Sequence, residues 1–196
     1  MAVTAQTKPS DDKRARLLEA ALDLFETRGF DAVAVPEIAA KAGVAVGTVY
    51  RHFETKEALV NALYRQWKQA YNDFVLAPLP EGLKPRERFS RYWNRMTLFA
   101  RSNPRATRFM DLHHHAAYLD DDSRALSKAY AQVAEEFVRS ARAQGAIRDL
   151  DPIMVVALMW GAAAGLVKFA ASGALDFNAK LAGEMEEALW RAIAKE

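Results

Sequence analysis

The chain has 196 residues, of which 51% are hydrophobic and 27% charged, a composition that excludes disorder along most of its length and fits one large domain or two small ones sharing a core. The net charge of +2 argues neither for nor against a nucleic-acid partner. With no cysteine, disulfides, thiolate metal sites and cysteine nucleophiles are excluded, and a reducing cytoplasm is compatible.

Residues 1–12 have no apolar h-region and read as a loose tail. Helical periodicity then dominates. Leu17, Ala21, Leu24 and Phe25 form a stripe on a helix that Ser10 or Asp11 can start and Gly29 can end. Two short helices follow, Val35 to Ala42 and Ala45 to Phe53, with Gly43 between them. Thr55 reads as the N-cap of a connecting helix over about 56–76, with Leu59, Leu63, Trp67, Ala70 and Phe74 as its stripe. Pro78, Pro80 and Gly82 break the chain. Phe89, Trp93, Met96 and Ala100 line the next helix. Asn103-Pro104 restarts another that runs to about Tyr118. Asp120–Asp122 favour a helix N-terminus, and Leu126, Tyr130, Val133 and Phe137 follow at helical spacing up to Gly145. Asp151-Pro152 opens an apolar helix, and Asp176 or Asn178 opens the last one. The expected fold class is all-α with nine helices, three of them short. A candidate helix-turn-helix unit occupies residues 13–57, and a second, larger helical unit occupies 58–196.

Two short helices joined by a glycine turn describe a helix-turn-helix. At 100° per residue, Val49 and Phe53 fall on the core side of the second helix. Gly47, Thr48, Tyr50 and Arg51 fall on the other. An exposed helical glycine costs about 1 kcal/mol relative to alanine, which is reasonable where backbone must approach a surface closely. Arg51 points furthest outward and can make a bidentate contact with guanine. His52 and Lys56 flank the face, placed for phosphates. On spacing alone, an ordinary pair of surface helices fits as well.

The run from Arg16 to Leu63, above all AGVAVGTVYRHFETKEAL over Ala42 to Leu59, resembles the N-terminal domain of the TetR family of transcriptional repressors. The resemblance implies that Thr48 and Tyr50 touch DNA backbone or base edges and that His52 and Lys56 hold phosphates. Gly43 and Gly47 match the family's fixed glycines. Val46 and Arg51 stand where members vary, which implies a part in operator choice. Ala34 and Ala45 depart from the pattern, since the family often has Thr and Ser there; each loses a capping hydroxyl. The resemblance further implies a helical ligand-binding domain whose last two long helices pair with a second subunit.

The residues of the C-terminal half agree with that. Ile153 to Ala171 is apolar nearly all round and needs burial on every side. Its unbroken apolar run, the fifteen residues from Ile153 to Val167, is short for a membrane span, and a membrane partner is not expected. Ile153, Ala157, Gly161, Ala164 and Gly165, completed by Leu181, Met185 and Leu189, are the expected dimer interface. A buried helix within one monomer is the alternative. A homodimer would place two reading helices on a palindromic double-stranded operator.

Trp67, Trp93, Met96, Phe109, Met110, Tyr130, Phe137 and Trp160 are core by spacing and could equally line an apolar pocket for a small-molecule effector. His113, His114 and His115 spread over 200° of a helix and cannot all ligate one metal. Asp111 with His115, or with His114, could share an ion. His113 or His114 as a polar pocket group is the other reading, and plain core or surface histidines a third. Lys84, Arg88, Arg91 and Arg95 cluster on one helix as a solvated stripe or a surface for an acidic ligand or acidic partner. Neither a cofactor nor a resident metal is expected. A helical interaction module without DNA binding, and a metal-dependent enzyme using the His113–His115 region, are the competing classes. GxSxG, HExxH, P-loop and GxGxxG motifs are absent.

Overall fold

The structure, a computed structural model, describes residues 9–113 and 116–195. Among the described residues nine helices follow in order: α1 (Pro9–Arg28), α2 (Val35–Ala42), α3 (Val46–His52), α4 (Lys56–Val75), α5 (Pro85–Ser102), α6 (Pro104–His113), α7 (Asp121–Ala143), α8 (Pro152–Ala171) and α9 (Ala179–Ile193). The fold is all-α, as its periodicity predicts.

Caps fix the helix starts. Thr55 Oγ1 accepts from the Ala58 amide at 3.0 Å, Asp120 Oδ1 from Ser123 at 2.9 Å, Asp151 Oδ1 from Ile153 at 2.9 Å and Asn178 Oδ1 from Leu181 at 3.0 Å. Each satisfies an amide that the helix itself leaves unpaired. Two boundaries differ from the sequence reading. Helix α1 begins at Pro9, so residues 9–12 have helical backbone rather than belonging to a tail. Helix α6 ends at His113, and Ala117-Tyr118 form a turn instead of a last helical stretch. Tertiary bonds override the local period there. The Tyr118 carbonyl accepts from Asn61 Nδ2 at 2.8 Å, and Leu119 turns into the core. A short bridge between Ile147 and Ala194, which nothing in the periodicity suggests, ties the end of α9 to the segment after α7.

Two hydrophobic cores result. The first gathers Leu17, Ala21 and Phe25 of α1, Ile38 and Ala39 of α2, Val49 of α3 and Leu59 and Leu63 of α4, and continues through Tyr71, Phe99, Phe109 and Met110. The second joins Phe89 and Trp93 of α5, Phe137 of α7, Val155, Met159 and Leu166 of α8, and Leu189 and Ile193 of α9. Trp93 is fully buried, and its Nε1 donates to the Ala182 carbonyl at 2.7 Å.

Helix α8 is long and apolar enough to cross a membrane by length and composition alone, with 20 residues and a mean hydropathy of 1.9. Val155, Met159, Ala163, Leu166 and Val167 face the second core. Ile153, Met154, Ala157, Leu158, Gly161 and Phe169 are exposed, so the chain's own helices cover only one side. On α9, Leu189 is buried in the second core, and Leu181 and Met185 are partly buried against it. The exposed residues of this helix include Lys180, Gly183, Glu184, Glu187, Ala188, Arg191 and Ala192.

The predicted basic stripe on α5 is likewise divided among separate tasks. Arg88 pairs with Glu136 of α7 at 2.5 Å. Arg95 donates to the Val75 and Pro78 carbonyls at 3.4 Å and also to that of Ala77, closing the end of α4. Lys84 and Arg91 are exposed.

Helix α6 clamps α1 by charge. Arg108 Nε and Nη2 donate to the two Glu26 carboxylate oxygens at 2.8 and 2.9 Å, and Arg105 reaches Glu19 at 2.7 Å and Asp23 at 3.2 Å. The Glu26 side chain is only 5% exposed. Arg108→Ala leaves that carboxylate buried without its fork-shaped donor and is expected to cost about 2 kcal/mol in urea unfolding. His113 sits in the same region. Its Nδ1 bonds the Tyr118 hydroxyl, and its ring lies 4.5 Å from that of Phe109 and 6.2 Å from that of Phe25. Burial lowers its pKa from 6.5 to about 4. Between those values the unfolded chain takes up a proton at His113 that the folded chain does not. Stability therefore falls on acidification through that window. Urea titrations should show a steeper loss there for the wild type than for His113→Gln.

Candidate nucleic-acid interface and effector cavity

Val49 and Phe53 anchor α3 in the first core. That seating turns Val46, Gly47, Tyr50 and Arg51 to solvent, with Thr48 and His52 partly covered at the edges. Tyr50 is 50% exposed. The angular reading agrees with the observed exposure of Gly47, Tyr50 and Arg51 and the burial of Val49 and Phe53, while Thr48, read as outward, is partly covered.

The turn before α3 is built tightly. Gly43 has φ +64°, a left-handed conformation that side chains rarely adopt. The amide of Val44 donates to the Ala39 carbonyl at 3.0 Å, and the amide of Gly43 to that of Ala40 at 3.1 Å. Arg16 reaches across from α1 to the Ala42 carbonyl and, at 3.2 Å, to that of Gly43. A Cβ on Gly43 would lie 2.8 Å from Arg16 Nη2. The pattern of α1 gave Arg16 no role, because a contact 27 residues away leaves no periodic trace.

Ala34 provides no side-chain cap to α2, but Glu37 accepts from the Ala34 amide at 2.9 Å. Arg28 donates to the same carboxylate at 2.5 Å and, with the Ala34 amide, holds its pKa below the usual carboxylate range. The missing hydroxyl is thus offset from within the helix. Ala45 has no such replacement. Lys56 opens α4 half-buried, with its Nζ 4.1 Å from the ring centroid of Phe30.

Gly47 differs from Gly43. No atom of the described residues lies within 4 Å of a Cβ placed there, and its φ is ordinary. Nothing in this chain requires glycine at that place.

Between α4, α5, α7 and α8 lies an apolar cavity of about 60 Å³. Its walls include Tyr71, Val75, Tyr92, Met96, Tyr130, Val133, Phe137, Val155, Met159 and Trp160. Of the pocket residues expected from sequence, Met96, Tyr130, Phe137 and Trp160 border it. Trp67, Trp93, Phe109, Met110 and His113 do not. Trp93 fills the second core; Phe109, Met110 and His113 are buried in or against the first; Trp67 packs edge-on to Phe99. Helical spacing identifies inward side chains but does not separate filler from wall. His114 lies outside the described residues, as does any pairing of Asp111 with His114 or His115. Asp111 Oδ1 accepts from Trp160 Nε1 at 2.9 Å.

One residue beside the cavity escaped the sequence reading. Lys68 of α4 is buried, and its Nζ lies 4.3 Å from the ring centroid of Tyr130, 5.0 Å from Tyr71 and 5.6 Å from Trp160. Burial alone lowers its pKa from 10.5 to about 8. A lysine inside a helical stripe reads as surface, so only the tertiary packing reveals it.

Residues 17–63 match the family model for bacterial regulatory proteins of the tetR family, and residues 64–195 match the tetracyclin repressor-like C-terminal domain. The HTH-type transcriptional repressor KstR of Rhodococcus jostii (strain RHA1) is 34% identical over 100 residues, 50% of this chain and 46% of KstR. The HTH-type transcriptional regulator RutR of Escherichia coli (strain K12) is 28% identical over 163 residues, 81% of this chain and 75% of RutR. The match thus spans less than half of KstR but three quarters of RutR. The crystal structure of a TetR family transcription regulator from Marinobacter aquaeolei VT8 shares the fold with a TM-score of 0.81 at 24% identity, over 95% of this chain and 97% of that one. With both of its units matched, the chain belongs to the TetR family of bacterial regulatory proteins.

Proposed function

We propose that the protein is a homodimeric transcriptional repressor that reads a palindromic operator with α3 and is released by a small molecule bound between α4, α5, α7 and α8. Gly47 carries the DNA half of this reading. It lies on an exposed helical face where glycine costs about 1 kcal/mol and where no neighbour in the chain needs it. A requirement from outside, the close approach of a phosphate backbone, accounts for it. Val46, Tyr50 and Arg51 surround it for base and backbone contacts, and Thr48, His52 and Lys56 lie at its margins.

The dimer half rests on α8 and α9. Ile153, Met154, Leu158 and Phe169 leave an apolar face open, with Phe169 57% exposed. Gly161 and Gly165 of α8 and Gly183 of α9 would also meet nothing within 4 Å if given a Cβ. Three interior helical glycines without an intramolecular reason fit close approach of a second copy. With Leu189 buried and Leu181 and Met185 partly buried, the α8 face supplies most of the apolar contact. Two reading helices would then enter major grooves about 34–36 Å apart.

The first experiment is selection of genomic fragments on the purified protein, followed by affinity measurements at two salt concentrations. A palindrome whose affinity falls steeply with salt is expected, and no enrichment from ligand-free protein would overturn the reading. Tyr50→Ala and Lys56→Ala should each weaken binding to the selected fragment about tenfold or more while leaving the sedimenting mass unchanged. Gly165→Leu should sediment as a folded monomer with unaltered helicity, since its side chain has room within the chain but not in a close crossing.

A further inference from the structure

Lys68 is 4% exposed and, among the described residues, makes no hydrogen bond or ion pair. A buried ammonium is costly unless something answers its charge. The faces of Tyr71, Tyr130 and Trp160 answer part of it. They leave its N–H donors without an acceptor. The same three rings are walls of the apolar cavity. Lys68 is not itself a wall residue: its ammonium stands behind those rings, so a ligand that reaches between them meets an unpaired cation.

We infer that Lys68 is the anchor for the carboxylate of an otherwise apolar effector lying in the cavity. The inference rests on the effector reading above and names its chemical class. Cationic ligands are disfavoured, because the aromatic cage that would receive them already holds an ammonium. A phosphate monoester is a poorer fit than a carboxylate, since a dianion needs several donors and one cation lies behind an otherwise apolar wall. The body of the ligand meets Met96, Val155 and Met159, and the thioether chains are flexible enough to yield as the present 60 Å³ enlarges.

The test uses the full-length protein without DNA. Straight-chain carboxylates from hexanoate to dodecanoate, and the matching primary alcohols, are titrated by calorimetry into the wild type and Lys68→Met. The wild type should bind at least one acid about tenfold or more tighter than its alcohol. Lys68→Met should lose that preference and, when free of ligand, melt no lower than the wild type, because an unpaired buried charge has become an apolar chain. Lys68→Gln serves if the methionine variant does not fold. Equal affinity for acid and alcohol, no binding of any acid, or an acid preference that survives removal of the amine overturns the inference. Operator binding is measured separately. A protein that binds its operator but no acid refutes only the ligand class, and one that binds acids but no operator refutes only the regulatory reading.

Discussion

Everything in this molecule hangs on the continuity of α4. Its 20 residues contain neither glycine nor proline, so no local break lets one end move without the other. The first half gives Leu59, Val60 and Leu63 to the core under α3. The second half gives Tyr71 and Val75 to the wall of the apolar cavity. One helix is thus shared by the two units, and the first core runs without interruption from α1 to Phe99 and Phe109.

Polar bonds hold α4 in register against α7. Asn61 is buried, yet its Nδ2 donates to the Glu57 and Tyr118 carbonyls at 2.9 and 2.8 Å, and its Oδ1 accepts from the Asp120 amide and Ser123 Oγ, both at 2.8 Å. All four of its hydrogen-bonding positions are used. Tyr64 and Ser127 hydroxyls pair at 2.8 Å, and Asn72 Nδ2 donates to the Leu126 carbonyl at 2.9 Å. Apolar packing tolerates sliding, whereas a ladder of directional bonds does not. The α6 arginines add a second attachment to α1, and the ring of Tyr118, stacked 4.1 Å from Phe30, adds a third.

The elements were legible in the sequence because their signals are local. Thr55, Asp120, Asp151 and Asn178 act within three residues of themselves, and Val49 with Phe53 sets the outward face of α3 by angle alone. What was not legible depends on partners distant in the chain. Arg16 works through carbonyls 26 and 27 residues later, Asn61 through the α6–α7 turn, and Lys68 through rings on α7 and α8. The stripe Leu181, Met185 and Leu189 was read correctly as apolar, but periodicity does not say which apolar surface receives it. The cavity was half visible for the same reason. It lies where large side chains from four helices stop short of one another, a property of none of them singly.

Three separate attachments join the units: α4 itself, the arginines on α1, and the Tyr118–Phe30 stack. A body held at three such points cannot swivel on its support and must travel with it. At 1.5 Å per residue α4 is a lever about 30 Å long. A tilt of about 5° at the cavity end carries the other end about 2.6 Å. In a symmetric pair the two arms swing in opposite senses, so the separation changes by about 5 Å, approaching half the width of a major groove of about 12 Å. Under the proposed function, a cavity that swells by a few side-chain volumes to admit an effector would be geared to an output at the far end large enough to misplace α3.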